Sequence, residues 1–416
     1  MPKFYVPEFS YKDYLTYEIK KGDTTAVVAK NLGITVSDLR SYHNRYCPLE
    51  DLVHSDFPSH LKFLIIQPPK VELSDEQKEQ QRKKVPFNDT PGKLTLNYSQ
   101  GEKTYGVLYT IENGKKVHTI KQQIKISWAA ENSGYHFYYI TRDEAIYVND
   151  TEVNTMAQEI AQKAAQALYP LLIVVDESGK WVYINNHDQI VERWRETKNQ
   201  IRKYYKGEHV EKYFSIYDKN LADKDTLFLS MQKDWFLNAL FNEIHVQYPP
   251  TKSIEKNIGF PYLAKTENIQ YRVEQKIDDL LDVDNLIVID INGMLDDSRT
   301  KTDFEKELNI PAKEYSEEKP TGNYRAKYYL NPNNYMPEAF IVTCDLALDI
   351  PQKYTISATH LHTAKELVIA SRQPLFVGAT TIKPKSGNSF WYWLIMILIF
   401  IATMYGLSKL YIYKFK

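Results

Sequence analysis

Apolar and polar residues alternate with period two from Lys93 onward. Leu94, Leu96 and Tyr98 mark one run, and Val107, Tyr109 and Ile111 another. That period puts alternate side chains on one face and predicts strands with one buried side. Asn113-Gly114 between two runs predicts a hairpin turn, and the strand texture continues over 117–128 and 135–148. The period then lengthens. Met156, Ile160, Ala164 and Leu168 share one stripe, which predicts a helix over 151–168, ended by Tyr169-Pro170. A strand pair follows at 171–175 and 181–184, around Glu177-Ser178-Gly179-Lys180. Next come a helix over 186–205, with Ile190, Trp194 and Ile201 inward, and more helix near 230–244. Strand runs return at 269–273, 286–291, 324–330, 339–347 and 354–360, with 323–349 reading as a hairpin that turns at 331–334. Strands interrupted by helices predict an α+β body in two parts, 93–250 and 251–385, as an antiparallel sheet curved around helices.

The two ends have other textures. Residues 71–92 are mixed in charge and nearly free of apolar side chains, and read as a linker. Residues 386–408 carry no charge. Their core, Phe390 to Leu407, has about 18 mostly apolar residues, enough as a helix to cross a bilayer. Trp391, Tyr392 and Trp393 at one end and Tyr405 and Tyr411 at the other suit aromatic belts, and the basic tail 409–416 follows. With no signal peptide at the N-terminus, the expectation is a single-pass, tail-anchored membrane protein whose bulk faces the cytoplasm and whose C-terminal helix meets lipid.

At the N-terminus, Tyr17 and Ile19 alternate with Glu18 and Lys20 as a short strand, and Lys21-Gly22-Asp23 turns. Asp23 or Thr24 can cap a helix whose apolar face is Val27, Val28, Ala29 and Leu32, and Gly33 ends it. Ser37 caps a second helix with Val36, Leu39 and Tyr42 inward, and 61–66 forms a strand stopped by Pro68-Pro69. The predicted order is βααβ within 1–70. This segment resembles the LysM family. The likeness rests on the Tyr17-x-Ile19 strand, the Lys21-Gly22-Asp23-Thr24 turn, the Ala29-Lys30-Asn31-Leu32-Gly33 helix end, the Val36-Ser37 start and Asn44 after the second helix. It departs from the family between Arg45 and His60, and Pro58-Ser59-His60-Leu61 stands where a Gly-Gln-x-Leu turn would be. The resemblance implies binding of a peptidoglycan or chitin-like glycan by Gly22, Asp23, Thr24, Thr25, Asn44, Pro58 and Leu61. The same residues could instead dock the chain onto a protein assembly.

Composition narrows the classes. The 416 residues are 43% hydrophobic and 25% charged, with a net charge of -1, which excludes a disordered chain and gives no basic footprint for nucleic acid. Tyrosine is high at 32 and glycine low at 15, which suits β-structure; the strand-rich texture of the body is similar to that of open-barrel lipid carriers. Cys47 and Cys344 are too far apart in sequence to signal a disulfide framework or a zinc site. His360-Leu361-His362 would put two imidazoles on one strand face, without a third metal ligand in view. Asp278, Asp279, Asp282, Asp284, Asp290, Asp296 and Asp297 form an acid-rich stretch that could supply paired carboxylates, although Asp290 with Asn292-Gly293 reads as a strand end and turn. No nucleophile elbow, phosphate loop or zinc-protease motif is present. The sequence therefore predicts a non-enzymatic, membrane-anchored binding protein with no cofactor or metal. Two alternatives accompany that reading: a cargo or spike adaptor of a contractile injection system, and a wall hydrolase using the Asp cluster.

Overall fold

In a computed structural model, the structure describes residues 10–54, 56–66, 83–87, 90–96, 101–152, 156–261, 267–282, 284–309 and 318–361. A small pair of strands, β1 (Thr16–Glu18) and β2 (Phe63–Ile65), encloses α1 (Thr25–Asn31) and α2 (Val36–Tyr46). A first meander follows: β3 (Glu102–Asn113), β4 (Lys116–Asn132), β5 (Tyr135–Val148), the short β6 (Thr151–Glu152), β7 (Leu171–Val175) and β8 (Trp181–Ile184). Helix α3 (Met156–Gln166) lies inside it. After β8 come α4 (His187–Tyr204), α5 (Glu208–Asn220), α6 (Lys224–Met231) and α7 (Trp235–Leu240). A second meander runs through β9 (Ser253–Phe260), β10 (Ile269–Ile277), β11 (Ile287–Leu295), β12 (Asn323–Leu330), β13 (Pro337–Leu346) and β14 (Gln352–His360), with the one-turn α8 (Lys301–Glu305) after β11.

The two meanders make one sheet, because β14 returns to pair antiparallel with β3, from Gln352 opposite Asn113 to His360 opposite Tyr105. Eleven strands lie along one path, from β8 at one edge to β9 at the other, and β6 pairs with β5 off that path. Period two drives the pairing. In β10, Ile269, Tyr271, Val273, Gln275 and Ile277 are buried while Gln270, Arg272, Glu274 and Lys276 are exposed, so one face has a core to cover. The helices cover it. Ile190, Trp194, Phe214, Tyr217, Phe236, Leu237 and Leu240 join the inward residues of β3 to β14 in a single core.

The sheet must curl to achieve this. Flat, its strands would span on the order of 50 Å. Yet Trp181 of β8 packs on Phe228 of α6, and Phe260 of β9 packs on Trp235 of the adjacent α7. Lys180, just before β8, pairs with Asn242 in a β-bridge, and Lys256 of β9 donates from Nζ to the carbonyls of Asn242 and Glu243 at 3.2 and 2.9 Å. Both edges thus reach the same two residues, which span the seam.

This architecture corrects the expected α+β class. One large antiparallel sheet dominates the described chain, and the helices are few and serve it. Nor is the N-terminus a βααβ module. A 3-10 turn at Tyr11–Asp13 precedes β1, and another at Leu49–Asp51 separates α2 from β2. The extra residues of that spacer bury Cys47, Leu49 and Leu52 with Ile65 against Leu108 on the outer face of β3, so the unit is completed by the sheet. The membrane reading is corrected as well. Among the described residues no helix is long and apolar enough to cross a membrane. The stretch that suggested a single-pass anchor, 386–408 with its tail 409–416, lies outside the described residues, as do most of the linker 71–92 and His362. At its C-terminal end the linker meets the body, where Val85 N–H donates to the Asp279 carbonyl and Leu281 N–H to that of Lys83.

Candidate functional site

The residues singled out at the N-terminus divide into a surface loop and an internal clamp. Gly22 turns the β1–α1 loop with φ of 93°, a conformation that suits glycine. Asp23 is used within the loop, accepting from Tyr17 Oη at 2.9 Å and from the Lys20 amide at 2.8 Å. Thr24, not Asp23, caps α1 by accepting from the Val27 amide. Thr35, not Ser37, caps α2 in the same way, through the Asp38 amide. Thr25 is buried, and its amide donates to Asp56 Oδ1 at 3.3 Å, which joins this loop to the one before β2.

Asn44 is buried and closes a two-way clamp on Val53, donating to its carbonyl and accepting from its amide, both at 2.8 Å. Pro58 and Leu61 are buried too, and Leu61 sits in the small core with Val28, Ala29, Leu39, Val53 and Leu64. Thus Gly22, Asp23 and Thr24 lie together at the surface loop and Thr25 is buried beneath it at the start of α1, whereas Asn44, Pro58 and Leu61 hold the unit from within. What the loop and α1 offer outward is Lys20, Lys21, Gly22, Ala26, Val27 and Lys30, with Val27 45% exposed.

The opposite side of the unit is fixed to the sheet by a polar hub on Glu50 and Asp51. Lys121 of β4, buried under the unit, donates to the Glu50 carbonyl at 2.5 Å and pairs with Asp150 at 2.8 Å. Asp51 accepts from Tyr11 Oη at 2.5 Å and faces His60 Nε2 at 3.1 Å. His43 accepts from the Ile65 amide at Nδ1, so its Nε2 carries the proton that reaches the Asp51 carbonyl at 3.1 Å. Arg45 adds a pair with Asp284 at 3.4 Å. The sheet-side partners Lys121, Asp150 and Asp284 are far from the unit in sequence, and no local pattern signals them.

Three further charged clusters lie in the body. Glu338 of β13 accepts from Lys103 of β3 at 2.7 Å, His360 of β14 at 2.9 Å and Asn331 at 3.1 Å. Burial opposes its ionisation, but the His360 hydrogen bond and the Lys103 charge outweigh it and hold the carboxyl well below the usual range. Arg142 of β5 pairs with Asp234, which caps α7, and lies 5.4 Å from the Tyr169 ring centroid. Arg299 pairs with Asp297 at 2.6 Å over the Phe304 ring.

The acid-rich stretch is dispersed by its partners. Asp290 pairs with Lys327 at 3.2 Å, Asp282 accepts from the amides of Asp284 and Leu286, and Asp296 is exposed. Asn292-Gly293 is not a turn: both residues lie inside β11, with Gly293 opposite Val273. His360 is a sheet residue bound to Glu338. Among the described residues no group of three His, Cys, Asp or Glu side chains could hold a metal.

No family model matches the chain, and no curated protein matches it. A solved structure titled "Lipid-protein interactions in lipovitellin" matches with a TM-score of 0.36 and 10% identity, covering 69% of this chain and 27% of that one. The chain therefore spans about a quarter of that structure's length. Nothing in these comparisons evidences a LysM module or peptidoglycan binding, and both stay expectations drawn from the sequence.

Proposed function

We propose that the chain is a non-enzymatic docking protein that carries an N-terminal recognition unit on a rigid curled sheet and binds an acidic protein surface. The observation that supports this most is the division of labour in the unit. Its α2, 3-10 turn and β2 are committed to the sheet, while the β1–α1 loop and one face of α1 are left facing outward. Asp23 and Thr24 satisfy their own loop, which leaves little side-chain hydrogen bonding for a sugar. The remaining surface is an apolar spot, Val27, accompanied by Lys20, Lys21 and Lys30. An apolar centre with a charged rim is the anatomy of a protein interface. The body supports the reading by being filled: its inward face is packed by its own helices.

The test is crosslinking of the full chain in the cells that make it, with and without Lys21→Glu and Val27→Asp. Loss of the crosslinked species in both variants, with unchanged circular dichroism, is expected. Crosslinking that both variants retain would overturn the proposal. So would retention on an insoluble glycan that soluble oligosaccharide competes and Val27→Asp leaves intact.

A further inference from the structure

Three histidines of the N-terminal unit lie near its contact with the sheet, bonded within the unit and within electrostatic reach of Lys121 and Lys353 of the sheet. His43, His54 and His60 all lie in the segment that carries the Leu49–Asp51 turn or flanks it. We propose that this contact is a proton-operated latch, which holds the unit on the sheet near neutral pH and releases it when His43 and His54 take up protons.

The geometry gives each histidine a role. His43 is fully buried and uses Nδ1 as an acceptor for the Ile65 amide of β2. A proton there turns the acceptor into a donor and strands that amide. Its other neighbours are Asp51, through the backbone carbonyl, and the Lys121 ammonium of β4. His54 is buried beside two cations, Arg40 of α2 and Lys353 of β14, and its Nδ1 has no hydrogen-bond partner. Arg40 belongs to the unit and Lys353 to the sheet, so a charged His54 places a third cation at the join. Lys353 itself pairs with Glu112 of β3 at 2.7 Å. His60 works in the opposite sense. It is half exposed, contacts Asp51 Oδ1 and the Glu50 carbonyl, and also feels Lys121 and Asp150.

The signs follow from linkage. Burial lowers His43 from 6.5 to about 4 against the opposing hydrogen bond and charge of Asp51, with Lys121 adding to the lowering, and burial followed by Arg40 and Lys353 lowers His54 to about 4. Their contribution is complete above the ordinary histidine value and is lost as pH falls from there toward 4. His60 is raised, chiefly by its hydrogen bond to Asp51. Its contribution is complete below the ordinary value and fades as pH rises through the raised one. Attachment is therefore strongest near the ordinary histidine value and weakens steeply on the acid side, where two groups act together.

The two cysteines report the outcome. Cys47 is buried in the contact with Leu108, and Cys344 is buried inside β13, facing the main core. Each is labelled in the full chain with dithiodipyridine, at rates normalised to the denatured chain at the same pH. Cys47 is expected to react on the order of tenfold or more faster at about pH 5 than at about pH 7, while Cys344 stays protected. His54→Gln is expected to move the release to lower pH. Cys47 that remains protected at about pH 5 overturns the latch. So does Cys47 that becomes reactive only in step with Cys344, or a His54→Gln chain that releases at the native pH.

Discussion

Asn44 shows what a single side chain does here. Its amide meets both backbone groups of Val53 in a buried setting, so Asn44→Ala leaves a buried N–H and a buried carbonyl without partners. The expected cost is about 2 kcal/mol or more, read as a lower urea midpoint for the N-terminal unit; an unchanged midpoint would show the clamp to be dispensable. Glu338 is the body's counterpart. Removing one member of a buried charged group leaves the others uncompensated, so Glu338→Gln is expected to cost about 3–5 kcal/mol. Because its carboxyl is depressed in the fold, its contribution is present above the ordinary carboxylate value of 4.5 and is lost as pH falls below it. Native stability should therefore fall more steeply with acid than that of the variant, as melting curves at several pH values would show. At this scale the sequence was partly legible. Thr24 as a cap and the Gly22 turn follow from local chemistry. Asn44, by contrast, reads as a surface ligand residue because nothing nearby reveals Val53 closing on it. The Lys103–Glu338–His360 group is invisible to any window, since Lys103 and Glu338 are 235 residues apart.

Elements were more legible than residues, because period two and the 3.6-residue stripe act locally. The runs at 269–273, 324–330 and 354–360 lie inside β10, β12 and β14, and the Ile190, Trp194, Ile201 stripe is the buried side of α4. The reading failed where one residue type serves two purposes. Asn-Gly is a strong turn signal, yet at Asn292-Gly293 the strand runs straight on. The glycine is there for room: a Cβ on Gly293 would lie 2.2 Å from the Arg272 carbonyl oxygen and 2.6 Å from Val273 Cα, both backbone atoms of β10. Neither can yield without parting the strands. Gly293→Ala is thus expected to destabilise by about 1–3 kcal/mol or more, with lost amide protection concentrated in β10 and β11. A variant as stable as the native chain would mean that the strands can part at no cost. The spacer 45–60 misled for a related reason. Measured against a self-contained module it is too long, and its added turn exists to meet Lys121 and Leu108 on a sheet whose nearest strand begins at residue 102.

For the whole molecule, the decisive feature is how an open sheet of this width ends. Two bare edges would template further strand pairing. Here both are drawn to Asn242 and Glu243, where the Lys180 bridge and the Lys256 ammonium meet. Asn242 also donates from Nδ2 to Tyr324 Oη and Tyr328 Oη of β12 at 2.8 and 2.9 Å, so the seam is also tied to β12, three strands along from the β9 edge. Curvature is thereby held by a few polar contacts at the seam as well as by the apolar core. No run of sequence could announce this, because the closing residues lie in a connection between α7 and β9 that has no periodicity. Lys256→Met keeps the aliphatic stem and removes the donor, leaving the carbonyls of Asn242 and Glu243 short of a partner. The expected result is faster amide exchange at both edges, β8 and β9, with the central β3 and β14 nearly unchanged, since they are paired on both sides and carry consecutive buried residues. Exchange that quickens equally at centre and edges would mean that Lys256 supports global stability alone. Exchange that quickens in β9 but not β8 would mean that the edges close independently, and the seam would then be two unrelated contacts.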